Sequence, residues 1–171
     1  MIVTYIGLGS NLGDSRQILA EAVQKLATLG QAKTSHLYQS PPMGPQDQPN
    51  YLNAVVQLNT DLAALSLLDR LQAFEQDAGR VRLRHWGERT LDLDLLIYGN
   101  EHIQNERLTV PHVGVLERDF VLIPLLDIDP EIQVHGHKLK DLDIVKQSTL
   151  AVQIGRRRVG KECRSRWSPY H

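Results

Sequence analysis

The sequence predicts an α+β fold: a ferredoxin-like sandwich with helices packed on a mainly antiparallel sheet. Three observations carry this. The periodic segments follow the order β-α-β-β-α-β, which is that of the split βαβ sandwich. The stretch between the second and third strands holds four prolines and cannot be the crossover helix that a doubly wound parallel sheet requires there. The strand after the second helix alternates leucine with aspartate in a segment that otherwise reads as buried. A chain of 171 residues suits one domain with a real core. We assign that domain to residues 1–152 and leave 153–171 as a basic C-terminal tail, poorly ordered.

Each element has a local cause. Ile2 to Leu8 is β-rich and reads as the first strand. In Arg16 to Leu29, Leu19, Val23, Leu26 and Leu29 recur at helical spacing, and Gly30 follows as a C-cap. Lys33 to Gln39 reads as the second strand. Ser40 to Asn50 is a proline-stiffened loop, and a long loop inside a compact domain is more often functional than idle. Tyr51 to Asn59 is the third strand. Asp61 caps a second helix to about Ala78, with Leu67, Leu71, Phe74 and Ala78 on one stripe. Gly79 to Thr90 is a basic loop, the Asp-x-Asp strand follows, and Gly99-Asn100 turns the chain. A short helix is expected around Phe120 to Leu126.

Composition excludes several classes. The net charge of −1 gives no global attraction to nucleic acid or to a membrane surface. The charge is uneven: Gln153 to His171 carries about five net positive charges, so the remainder is acidic. No apolar run approaches the ~20 residues of a membrane span. The N-terminus lacks a basic n-region and reads directly as a strand, not a signal peptide. The single cysteine, Cys163, allows no internal disulfide, which favours a reducing cytoplasm, and its basic surroundings in the tail argue against a catalytic role.

The segment W-G-E-R-T-L-D-L-D-L-L, Trp86 to Leu96, carries the chemistry. Leu91, Leu93, Leu95 and Ile97 alternate with Asp92 and Asp94, so both carboxylates share one face. Two bare charges ~5 Å apart, at an effective dielectric near 20, repel by roughly 3 kcal/mol. A cation resolves that repulsion. Mg²⁺ is the natural one: it is hard, oxygen-liganded and usually completed by water and substrate phosphates. Arg80, Arg82, Arg84 and Arg89 lie just upstream, and arginine forks grip phosphate oxygens without losing charge. Trp86 in the same loop offers a stacking surface.

Other patterns carry less. Gly7 to Gly13 is spaced G-x-G-x-x-x-G, which is not the dinucleotide fingerprint, and no acid for a ribose ends the second strand. These glycines are expected to shape a turn into the first helix. No P-loop and no Ser-His-Asp or Cys-His arrangement is present. His112 follows Pro111, and a lone histidine of this kind is most often a structural hydrogen-bonder. His135 and His137 read as surface residues.

With these motifs in view, the chain resembles the 6-hydroxymethyl-7,8-dihydropterin pyrophosphokinase family of folate biosynthesis. The motifs G-S-N-L-G-D, Q-S-P-P-M-G-P-Q-D-Q-P-N-Y-L-N, G-R-V-R, W-G-E-R-T-L-D-L-D-L-L and R-L-T-V-P-H carry the likeness, from Tyr5 to about Phe120. The resemblance implies a monomeric, cytoplasmic ferredoxin-like enzyme that moves pyrophosphate from ATP to a pterin hydroxymethyl group, releasing AMP and using two Mg²⁺. It implies that Asp92 and Asp94 bind the metals. Ser40, Pro41, Pro42, Met43, Tyr51, Asn53 and Phe120 fall where the family holds the pterin. Gln72, Glu75, Arg82, Trp86, Arg89, Leu95, Arg107, Thr109, His112 and Arg118 fall where it holds ATP. Arg80 and Arg89 match the charge-stabilising arginines, and these two, with Asp92, Asp94 and His112, are the expected catalytic set. Gly44–Gln48 and Gly79–Glu88 are expected lids.

Val113 departs from the aromatic or polar residue expected after the Pro-His pair, and Ser40 replaces a more usual threonine. The partners implied are ATP and the pterin, with no nucleic acid and no membrane. Two rivals stand beside this reading. One is another Mg²⁺ enzyme, a nucleotidyltransferase or phosphohydrolase, on the same scaffold. The other is a nucleic-acid binder using the arginine loop and tail, against which the acidic remainder of the chain argues.

Overall fold

The computed structural model describes residues 1–11, 14–41, 50–78 and 90–150. Its central sheet runs β2 (Gln31–Thr34), β4 (Tyr51–Thr60), β1 (Ile2–Ser10), β5 (Asp92–Tyr98), with β3 (Tyr38–Ser40) also paired to β4. Every pairing in it is antiparallel. The helices α1 (Ser15–Leu26) and α2 (Ala64–Asp77) fall between strands as the α+β sandwich requires.

The sheet separates two apolar layers. On one side Ile6, Leu8, Leu58, Leu93 and Leu95 meet Leu19 and Leu26 of α1 and Leu67 and Leu71 of α2. On the other, Tyr5, Val55, Leu96 and Ile97 meet Val121, Leu122 and Leu125 of α3 (Asp119–Ile128). Leu67, Leu71, Leu122 and Leu125 are fully buried, each contributing about 1.5–3 kcal/mol. Among the described residues, no helix is long and apolar enough to cross a membrane.

The expected stripe on the second helix holds: Leu67 and Leu71 are buried, and Phe74 and Ala78 pack against the same cluster. Its start differs. The helix begins at Ala64 behind Ala63, without a side-chain cap. Asp61 lies outside it, 3.6 Å from the exposed N-terminal ammonium. The first helix ends at Leu26 with Ala27 as its cap, before the predicted Leu29. Gly30 is therefore no C-cap. It is needed because a Cβ there would overlap the carbonyl of Asn59 on β4.

The predicted second strand is two strands. Ser35 divides them, because its hydroxyl accepts the Val55 N–H at 2.9 Å and donates to the His36 carbonyl at 2.8 Å. A side chain thus takes over a ladder bond and interrupts the strand. The helix expected around Phe120 runs from Asp119 to Ile128.

The first strand continues through Ser10, so Gly7 and Gly9 are strand residues, not the predicted turn. The shared face of Asp92 and Asp94 holds, but Ile97 does not lie opposite them as alternation predicts. The β1–β5 register shifts between Tyr5 and Ile6, Leu96 lacks a partner on β1, and Leu96 and Ile97 both join the α3 layer. An extra residue on one strand turns two consecutive side chains to one side.

Beyond β5, β6 (Ile103–Gln104) and β7 (Thr109–Val110) form a hairpin, and β8 (Gln133–Val134) pairs with β9 (His137–Lys138). A 3₁₀ turn, Leu139–Asp141, and α4, Asp143–Lys146, follow. His135 and His137 are exposed, as read from the sequence.

Candidate active site

The open part of the α3 face forms a cavity of about 690 Å³, solvent mouth included. Its floor is set by register. Gly7 pairs with Asp94 and Gly9 with Asp92, so each aspartate stands beside a residue without a side chain. Asp92 and Asp94 are half-buried and line the cavity. A Cβ on Gly9 would lie 3.4 Å from Asn53 Oδ1 and 3.7 Å from the Tyr51 ring. The bare floor leaves the space beside both carboxylates open.

One wall comes from β3 and β4. Ser40 pairs with Tyr51, and Tyr38 with Asn53. Asn53 is buried and its Nδ2 donates to Ser40 Oγ at 2.7 Å. This fixes the amide while its carbonyl oxygen and second N–H remain as potential contacts for a polar ring edge. Pro41 lies at the same wall. The other wall is the start of α3, where Arg118, Phe120 and Val121 line the cavity. The Arg118 guanidinium sits 6.0 Å from the Phe120 ring centroid, at the limit of a cation–π contact. Gly114 makes room for that arginine: a Cβ there would meet Arg118 Nε at 2.6 Å.

A second group follows the outer edge of β5. Glu75 on α2 is buried, and its Oε2 accepts the N–H of Leu93, the residue between the two aspartates, at 2.7 Å. This helix therefore holds the Asp-x-Asp backbone. Arg107 Nη2 donates to Asp69 Oδ1 at 2.6 Å and to Gln72 Oε1 at 3.3 Å. Thr109 lies on β7, half-buried, and the Leu95 side chain is sealed in the core.

His112 donates its backbone N–H to the Leu96 carbonyl at 2.8 Å. Its Nδ1 accepts the Gly114 N–H at 3.0 Å, which places the ring proton on Nε2 in the neutral form. Burial, then the Arg118 charge, lower its pKa, and the charge of Asp92 acts the other way. His112 is thus a neutral Nε2–H donor between the cavity and the β5 edge.

The structure therefore brings Ser40, Pro41, Tyr51, Asn53 and Phe120 together with both aspartates around one cavity. Arg118, assigned with the ATP residues, lines that cavity, whereas Gln72, Glu75, Leu95, Arg107 and Thr109 follow the β5 edge. Pro42, Met43, Arg80, Arg82, Trp86, Arg89, both expected lids, Cys163 and the tail lie outside the described residues. Sequence reasoning missed Gly7, Gly9, Ala54 and Val121. The signal for the glycines was their spacing of two, which places them on one face of a strand.

Among the described residues there is no cluster of three or more His, Cys, Asp or Glu that could hold a metal. Two half-buried carboxylates beside an open cavity fit Mg²⁺, which takes few protein oxygens and completes its shell with water and phosphate.

Comparison with known proteins gives the family of the chain. Residues 5–130 match the family model of 7,8-dihydro-6-hydroxymethylpterin-pyrophosphokinase. The chain belongs to that family. It is a pyrophosphokinase of folate biosynthesis, with an α+β fold as the sequence predicts.

A 2-amino-4-hydroxy-6-hydroxymethyldihydropteridine pyrophosphokinase of Haemophilus influenzae is 49% identical over 150 residues, covering 86% of this chain and 93% of the relative. The enzyme of the same name from Pseudomonas aeruginosa is 44% identical over 142 residues, covering 81% and 88%. Among solved structures, the Plasmodium falciparum HPPK-DHPS triple mutant with pteroate superposes with a TM-score of 0.66 at 15% identity. That match covers 82% of this chain and 42% of the Plasmodium chain, so this chain spans less than half of that protein, and the likeness is one of fold.

Proposed function

We propose that the enzyme transfers the pyrophosphoryl group of ATP to the hydroxymethyl oxygen of 6-hydroxymethyl-7,8-dihydropterin, with two Mg²⁺, and releases AMP. The observation that carries this reading is the convergence of Ser40, Tyr51, Asn53 and Phe120 on the cavity that Asp92 and Asp94 line. Its walls match the ligand's chemistry. Tyr51 and Phe120 offer apolar faces to a flat ring, and Asn53 both donates and accepts along a polar edge.

In the reaction the pterin oxygen forms a bond to the β-phosphorus as the α–β bridging bond breaks. The electron pair leaves on AMP and the hydroxyl proton passes to solvent. Such chemistry needs in-line placement and charge neutralisation more than covalent help. Asp92 and Asp94 would hold the metal ions, which when bound neutralise the phosphates and lower the hydroxyl's pKa.

The protein's own groups do the rest. Glu75 fixes the strand that presents the aspartates. His112 offers its Nε2–H to a phosphate oxygen, with the Arg118 charge acting on the same imidazole and Arg107 held against α2 by Asp69 and Gln72. Arg80 and Arg89 are assigned by resemblance to the charge that develops toward departing AMP. Substitution of Arg89 by alanine should lower kcat more than it raises the KM for ATP; equal changes would mean uniform binding.

Product analysis tests the reading. Chromatography of a reaction with Mg-ATP and the dihydropterin should show AMP and a pterin diphosphate in equal amounts. Free pyrophosphate or phosphate from ATP, with unmodified pterin, would instead indicate a nucleotidyltransferase or phosphohydrolase.

A further inference from the structure

The two walls of the cavity belong to elements far apart in sequence, and one carboxylate outside the cavity lining joins them. Asp127, in the last turn of α3, places Oδ2 2.6 Å from the Tyr38 hydroxyl. The same oxygen lies 3.0 Å from His36 Nδ1 and 3.2 Å from the His36 backbone N–H. The His36 and Tyr38 rings meet edge-on at 6.4 Å. A carboxylate in the last turn of a helix opposes the helix dipole, and α3 has no basic residue there to offset it. Its compensation is this set of donors from the β2–β3 segment.

Tyr38 is buried and stands opposite Asn53 in the β3–β4 register, two residues before Ser40. The strand β3 has only three residues, with the proline loop directly after it. Its three pairs with β4 fix it within a sheet that packs on α3 through the apolar layer of Val55, Val121 and Leu122, but tie β3 itself to that helix by no hydrogen bond. The Asp127–Tyr38 bond supplies that second fix. The phenol remains a donor because burial and Asp127 push its pKa well above the ordinary value. At the other end of the same helix, Phe120 faces the cavity that Ser40 and Asn53 line.

We propose that Asp127 is a positioning residue for the pterin: acting through Tyr38 and His36, it sets the separation between the Phe120 wall and the Ser40–Asn53 wall. This rests on the cavity being the pterin site. The residue touches no reacting atom, so it is expected to govern pterin affinity and not the chemical step.

Steady-state kinetics of the full chain tests this with Asp127→Ala, Tyr38→Phe and Asp127→Asn. Loss of the bond should raise the KM for the dihydropterin about tenfold, as one partly buried hydrogen bond to a charged group allows. The KM for ATP and kcat should stay within about twofold, the range expected when transition-state contacts are intact. Tyr38→Phe keeps the ring's volume, so it provides the reading if Asp127→Ala does not fold. Asp127→Asn retains an oxygen acceptor for the phenol and should recover most of the loss. An active wild type whose variants melt earlier but keep the wild-type pterin KM would overturn the proposal, as would equal rises in both KM values. A wild type that leaves the pterin unmodified would overturn the functional reading and this inference together.

Discussion

Gly9 on β1 stands directly opposite Asp92 on β5, so a carboxylate at the cavity floor has bare backbone as its neighbour on the adjacent strand. The missing Cβ keeps open the space between the aspartate and the wall of Asn53 and Tyr51. Replacing Gly9 with valine fills it. The expected result is a fall of about 100-fold in kcat/KM for the pterin, with the KM for ATP nearly unchanged, in line with the cost of misplacing a substrate by about 1 Å. Steady-state kinetics with each substrate varied in turn checks this.

Asp94→Ala removes one of two carboxylates that stand across from Gly7 and Gly9 on the same face of the sheet. Turnover should fall by at least about 100-fold, the scale on which loss of a single charge-stabilising group is felt. The far-UV spectrum and the melting temperature should stay near wild type, because the side chain is only partly buried and lines a cavity. Activity retained at ordinary Mg²⁺ would remove the metal role.

These two residues show how far the sequence alone reaches. The alternation of leucine and aspartate gave Asp92 and Asp94 a common face, and it held because a strand's period is fixed by its backbone. It failed at Ile97, where a bulge breaks the period, and bulges depend on pairing with another strand. The end of α1 is not legible locally because Gly30 resembles a cap, whereas its need for bare backbone comes from Asn59, 29 positions away. Gly7 and Gly9 suggest a turn because glycine signals turns locally, and only the β1–β5 register shows them as a floor. Asp127 has no motif at all, since its partners lie 89 and 91 positions distant.

Glu75 holds the Asp-x-Asp strand by accepting the Leu93 N–H at 2.7 Å. Glu75→Ala leaves that buried donor unsatisfied and should cost roughly 1–3 kcal/mol. Glu75→Gln keeps an acceptor oxygen and should cost less. Denaturant unfolding midpoints of the two variants measure the difference, and equal losses would indicate that charge and not the hydrogen bond sets the contribution.

Alkaline pH should weaken the fold in a definite direction. Burial is the leading cause that raises the phenol pKa values of Tyr5, Tyr38 and Tyr98 above 10.0, with Asp127 adding to it at Tyr38. Above the unfolded value the unfolded chain releases these protons while the folded one retains them. The stabilisation is therefore complete below about pH 10 and declines as pH rises through the folded values. Melting temperatures measured from pH 8 upward should fall beyond that point, and Tyr38→Phe should flatten the decline.

The most direct test of the central claim is calorimetric titration of 6-hydroxymethylpterin into the chain with Mg²⁺ and a non-hydrolysable ATP analogue, for wild type and Asn53→Ala. If the cavity between Asp92, Asn53 and Phe120 is the pterin site, wild type binds one molecule saturably. Asn53→Ala, losing an amide that contacts both ligand and Ser40, should bind about tenfold or more weakly. Wild-type affinity in Asn53→Ala would contradict the account and place the pterin elsewhere.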